Sequence, residues 1–173
     1  MTDKPVKEQD GAGGTEVPPR MGSDVPRLRG ERSEDFCEAK AAASLGAETL
    51  QSLGPLELAH VGDAVYELLV RTALIRRGNA RVGDLHRAAV TYVSAPAQAA
   101  ALEQLLPRLT EEEQKICRRG RNAHVHGCPA GCSPAQYHAA TALEALFGWL
   151  WLAGRSGRAW ELFTIIWEED HVS

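Results

Sequence analysis

The 173-residue chain carries a formal net charge of -4 and is 44% hydrophobic, which points to one domain with a sizeable core. No run approaches the 18 apolar residues that mark a membrane span, and the first residues lack the apolar stretch of a secretory signal. Four cysteines, Cys37, Cys117, Cys128 and Cys132, are too few for a disulfide scaffold and fit a reducing, cytoplasmic setting.

Residues 1–45 mix Gly, Pro and charges of both signs with few large apolar residues, and predict a disordered N-terminal tail. Residues 46–173 predict an all-α domain. Pro55 suits the first turn of a long helix that continues to about Arg77 and stops before Gly78. A second helix is expected over about Gly83 to Thr91. Ser94 can cap a third, with Pro96 in its first turn. Thr110 and Glu113 form a capping box for a fourth, and Ser133 and Gln136 form one for a fifth that reaches about Ala153. A sixth spans about Gly157 to Glu169. The loops are short, which favours packed antiparallel neighbours; Gly120 to Cys132 is the one long connection.

Two of these helices carry carboxylates in apolar surroundings. In the first, Asp63 and Glu67 lie one turn apart among Val61, Val65, Leu68, Leu69, Val70 and Leu74, so the helix is apolar nearly all round and reads as central. In the fifth, Glu144 is the single charged residue between Ala139 and Ala153. A lone buried carboxylate is costly unless it is paired, protonated or bound to a cation. Gly62 and Gly148 suggest close approach by another backbone or a ligand. From the residues alone, Asp63 and Glu144 could share a hard cation such as Mg²⁺. Equally, Asp63 could pair with Arg71 or Arg121, and Glu144 could hydrogen-bond a hydroxyl.

The run His60-Val61-Gly62-Asp63-Ala64-Val65-Tyr66-Glu67 resembles the signature helix of ribonuclease III enzymes, built around a Leu-Gly-Asp-Ala-Val core. Leu143-Glu144-Ala145-Leu146-Phe147-Gly148 is similar to the family's second acidic motif. Full-length members carry a glutamate four residues before the first acid and an aspartate three before the second; Ala59 and Thr141 stand there in this chain. That departure, the run Arg118-Arg119-Gly120-Arg121-Asn122-Ala123, and the segments Asp84-Leu85-His86 and Tyr92-Val93-Ser94-Ala95 followed by Gln98 resemble the Mini-III branch. The likeness spans roughly residues 50 to 169.

The resemblance implies the ribonuclease III catalytic-domain helical fold without a double-stranded-RNA-binding domain. It implies a homodimer that cleaves double-stranded RNA and matures the 23S ribosomal RNA precursor, with ribosomal large-subunit proteins as further candidate partners. Asp63 and Glu144 become the catalytic metal ligands, with Glu67 a third candidate, and the cofactor becomes Mg²⁺, with Mn²⁺ able to substitute. A catalytically silent RNA- or ribosome-binding protein on the same fold is the alternative.

From Ala47 onward the chain holds 12 Lys+Arg against 14 Asp+Glu, so RNA contact must come from a local patch. Arg118, Arg119, Arg121 and Asn122 are the expected substrate-binding group, on a basic loop. The same cations could simply offset a helix C-terminus. His124, His126, Cys128 and Cys132 form a second reading of that connection, a tight zinc site.

Overall fold

The computed structural model describes residues 44–78, 81–124, 127 and 131–169. Among these residues seven α-helices follow in order: α1 (Ala47–Ser52), α2 (Pro55–Arg76), α3 (Val82–Val93), α4 (Ala95–Leu105), α5 (Glu111–Arg121), α6 (Pro134–Leu152) and α7 (Ser156–Glu169). A 3₁₀ turn, Leu106–Arg108, follows α4, and no strand occurs among the described residues. None of these helices is long and apolar enough to cross a membrane. The tail expected over 1–45 lies almost wholly outside the described residues.

The α6 helix is the centre of the molecule. Its longest contact is with α2, and α4 and α5 pack on its other sides. Leu143, Leu146, Phe147 and Leu150 are fully buried there. They meet Leu58, Tyr66, Leu69 and Val70 of α2, Leu102 and Leu105 of α4, and Leu162 and Phe163 of α7 in one apolar cluster. Tyr66 stands edge-on to Phe147, with ring centroids 5.2 Å apart, an arrangement that adds to the burial of both rings.

Both capping boxes form. The Thr110 hydroxyl accepts from the Glu113 amide at 3.3 Å while the Glu113 carboxylate accepts from the Thr110 amide at 2.8 Å. Ser133 and Gln136 do the same for α6. Ser94 sits at the N-cap of α4 without acting as one. Its hydroxyl donates instead to the Thr91 carbonyl at 3.2 Å, closing the end of α3. The sequence reading also omits α1, which has no buried residue and therefore no apolar period to betray it.

One expectation about surfaces needs correction. The α2 helix is central, yet Asp63, Ala64 and Leu68 are exposed, so its apolar girdle is open on one side. Trp149 is buried, with Arg155 over its ring at 4.6 Å. The large apolar residues exposed among the described ones are Leu45, Leu56, Leu68, Ile75, Val82, Val90 and Leu106.

Candidate active site

Asp63 and Glu144 reach one place because the helices that carry them cross at glycine. A Cβ on Gly62 would lie 1.7 Å from the Glu144 carbonyl oxygen, and one on Gly148 would lie 1.9 Å from that of Leu58. Only bare backbone fits at this crossing, and a methyl group on either residue would force the helices apart. The crossing brings Asp63, the residue after Gly62, toward Glu144, one turn before Gly148.

Glu144 is partly buried and its carboxyl is pushed up to about 7. Burial is the largest cause; the Asp63 carboxylate adds like-charge repulsion, and the Gln98 side-chain amide opposes both. Asp63 itself is exposed and makes no ion pair among the described residues. Arg71, one partner the sequence allowed it, is paired with Glu67 at the next turn of the same helix. Glu67 thus already has a cation beside it, whereas Asp63 and Glu144 lie close enough for their charges to repel and have no cation beside them among the described residues.

Two such carboxylates with no basic side chain to pair them suit a hard, oxygen-seeking divalent cation. Among the described residues no third His, Cys, Asp or Glu completes a larger cluster around them. That fits a cation such as Mg²⁺, which takes one or two carboxylates and fills its shell with water and substrate phosphate. A cavity of about 260 Å³ opens beside Glu144, lined also by Val93, Ser94, Gln98, Cys132 and Tyr137.

The Ribonuclease III domain family model matches residues 56–155. The chain belongs to the ribonuclease III family. Mini-ribonuclease 3 of Symbiobacterium thermophilum is 55% identical over 111 residues, which are 64% of this chain and 85% of that protein. Mini-ribonuclease 3 of a Thermoanaerobacter species is 45% identical over 114 residues, 66% of this chain and 80% of that protein. A crystal structure of a Fusobacterium nucleatum protein aligns with a TM-score of 0.64 and 28% identity, over 69% of this chain and 95% of that one. The chain is accordingly an endoribonuclease of the ribonuclease III type, in the Mini-ribonuclease 3 branch.

The basic run differs from its expected form. Arg118, Arg119 and Arg121 lie in the last turn of α5 and not in a loop, where they also complement the negative end of the helix dipole. Arg119 donates to the Leu53 carbonyl at 2.6 Å and so ties α5 to the α1–α2 junction. Arg118 and Arg121 are exposed beside a cleft over Leu102, Leu106 and Cys117, and Asn122 is the exposed C-cap. Gly120 presses this turn onto α6: a Cβ there would lie 2.7 Å from the Ala142 Cα and 3.0 Å from the Thr141 carbonyl oxygen. The turn that bears the arginines therefore packs on α6 at Thr141, Ala142 and Ala145. Of the four proposed zinc ligands, His126 and Cys128 lie outside the described residues. Cys117, the one α5 cysteine, is buried with its thiol pushed up to about 12, chiefly by burial, which suits packing and not reactivity.

Proposed function

We propose that this chain cleaves double-stranded RNA at a divalent-cation site held by Asp63 and Glu144, with Mg²⁺ as the ion and Mn²⁺ as a substitute. The observation that carries this reading is the pair of carboxylates beside the Gly62–Gly148 crossing, close enough to repel each other and without a counter-cation among the described residues. A bound divalent cation supplies Lewis-acid polarisation of the scissile phosphodiester and offsets charge as it develops. The chain's own residues do the rest. Asp63, exposed at the surface, and the partly buried Glu144 would hold the ion, with Asp63 the one open to the incoming backbone. Glu67, held by Arg71, acts at most from the outer shell.

Arg118, Arg121 and Asn122, on the turn pressed against Thr141 and Ala142, are suited to hold the phosphates of the duplex. The Gly120 contact that seats their turn on α6, the helix that also bears Glu144, supports this reading. A homodimer is supported by an apolar groove of about 550 Å³ lined by Leu45, Leu53, Leu56, Val61 and Leu152. It is supported also by exposed Leu56, Leu68 and Ile75 along α2, on the helix that bears Asp63. Burying both would take an interface on the order of 2,000 Å² or more. The finer target, the 23S ribosomal RNA precursor in the cytoplasm, rests on the likeness to Mini-ribonuclease 3 proteins of bacteria.

The test is single-turnover cleavage of an RNA hairpin by Asp63→Asn and Glu144→Gln variants. Each is expected to lose roughly 10²-fold or more in rate, the cost of one lost ligand, with the fold retained. Near-parental activity of either variant at saturating Mg²⁺ would sink the assignment. An inactive parent that still binds duplex RNA tightly would favour the silent RNA-binding alternative.

A further inference from the structure

We infer that Gln98 is the positioning residue of the active site, its side-chain amide steering the Glu144 carboxylate toward Asp63. The inference rests on the metal-site reading above and adds a residue to it. Gln98 is the one polar residue in the stretch Ala95 to Leu102, which is otherwise Ala, Pro and Leu. It is 2% exposed, as deep as the leucines around it. A buried amide normally finds a partner for each N–H group, and leaving one unmade is costly. Yet the Gln98 Nε2 has no hydrogen-bond partner.

Its location explains why a misfit of this kind is kept. Gln98 and Glu144 line the same cavity, between the N-terminal half of α4 and the face of α6 that packs on it. The amide lies close enough to favour the ionised carboxylate, and it is the one side chain that does so. The amide has no partner within hydrogen-bond distance, so completing the pair takes a movement of one side chain toward the other. An ion shared with Asp63 supplies the reason for that shift. Fixing the carboxylate as an anion in one direction is the work that groups behind metal ligands perform elsewhere, and losing them typically costs 10–100-fold in affinity or activity.

Of the other polar side chains that line the cavity, the Ser94 hydroxyl is committed to the Thr91 carbonyl. Asp63 repels Glu144.

The experiment measures Mn²⁺ binding by the full-length protein without RNA, using the paramagnetic signal of the free ion, beside the melting temperature and the metal dependence of hairpin cleavage. The variants are Gln98→Met, which keeps length and removes the amide, and Gln98→Asn, which keeps the amide and shortens its reach. Both are expected to bind Mn²⁺ about 10-fold more weakly or worse. Their cleavage rate should recover in large part at high metal concentration, so that the loss falls on apparent metal affinity more than on maximal rate. Melting temperature should hold or rise in the Met variant, because an unpaired buried donor is gone. Parental Mn²⁺ affinity in Gln98→Met overturns the inference; should that variant fail to fold, parental affinity in Gln98→Asn does so. Failure of the underlying site looks different: there the parent itself binds no Mn²⁺, or Glu144→Gln binds it as well as the parent.

Discussion

Among the described residues, Glu113 and Glu144 are carboxylates drawn out of bulk water, and the chain treats them in opposite ways. Glu113 is 2% exposed. Its carboxylate is gripped by Arg158 through Nε at 2.9 Å and Nη2 at 3.1 Å, and it accepts the Thr110 amide at 2.8 Å. Arg158 in turn donates to Glu161 and to the Arg108 carbonyl. Burial works to raise the Glu113 pKa, but the Arg158 pair and the Thr110 bonds outweigh it and the net shift is downward. Glu144 has only the unfinished approach of Gln98 in its favour, and a second carboxylate repelling it. The first arrangement is complete within the chain, and the second is complete only with something added. On the proposed function, the direction of the shift separates a carboxylate kept for the fold from one kept for chemistry.

The sharpest way to break that comparison is to neutralise each acid and watch stability and activity together. Glu144→Gln, like Asp63→Asn, should lose roughly 10²-fold or more in cleavage rate while the metal-free protein melts at the parental temperature or above it, because a repulsion is gone. Should Glu144→Gln melt well below the parent, Glu144 would be a structural acid after all and the contrast with Glu113 would collapse.

Next in size is the Arg158→Met variant. It leaves the Glu113 carboxylate buried and unpaired, which costs about 3 kcal/mol or more for a fully buried pair. Arg158 remains 24% exposed, so about 2 kcal/mol is expected after solvent screening. Denaturant unfolding measures it, and cleavage per folded molecule should not change. A stability loss below about 0.5 kcal/mol would mean that the Thr110 bonds alone satisfy Glu113.

Much of this was legible beforehand, for reasons that are local. Asp63 and Glu144 stand out because each interrupts an apolar helix, and Thr110 with Glu113 announces a cap because box partners lie three residues apart. Arg158 could not be paired with Glu113 from sequence, since 45 residues separate them. Exposure of Asp63 was equally hidden: periodicity gives the faces of a helix but not which face a neighbour leaves uncovered. The basic run read as a loop because Gly120 and Asn122 suggest a helix end. Gly120 is instead the contact point of that helix with α6. Gln98 carried a signal, a lone amide in an alanine-rich helix, whose meaning depends on a partner 46 positions away.

The two acids should also give opposite pH limbs in the metal-free protein. Glu113 has a folded pKa below its ordinary value of 4.5. Below 4.5 the unfolded chain therefore binds the extra proton, so stability is present above that pH and is lost as pH falls through the folded value. Glu144 is raised from 4.5 to about 7. Between those values the folded chain holds the extra proton, and stability falls as pH rises, by on the order of 3 kcal/mol at most. Stability followed by thermal melts from pH 3 to 8 should thus peak near 4.5 to 5, other groups aside. Glu144→Gln should flatten the upper limb and Arg158→Met the lower. Divalent cation should oppose the upper limb, since it displaces the Glu144 proton, and should bind more weakly below about pH 7. An upper limb that persists in Glu144→Gln would assign it to another group.

The smallest effect tests whether the arginines at the end of α5 face RNA or only the fold. Arg119 is committed to the Leu53 carbonyl at 2.6 Å, so Arg119→Ala should cost about 1 kcal/mol of stability, the net value of one such bond. It should change RNA affinity little. Arg118 and Arg121 are exposed and make no ion pair among the described residues. Each phosphate they neutralise releases condensed counterions, so each contact removed should flatten the dependence of log affinity on log salt by about 0.9, the B-DNA value. The paired replacement of Arg118 and Arg121 by Ala should therefore weaken hairpin binding and flatten the slope, with melting temperature nearly unchanged. The dipole of α5 loses two favourable charges in that variant, worth about 0.3–1 kcal/mol each at low salt, which sets the largest stability loss to be tolerated. An unchanged slope with a lowered melting temperature would assign both arginines to the helix end, and RNA would then have to be held by some other face of this slightly acidic domain.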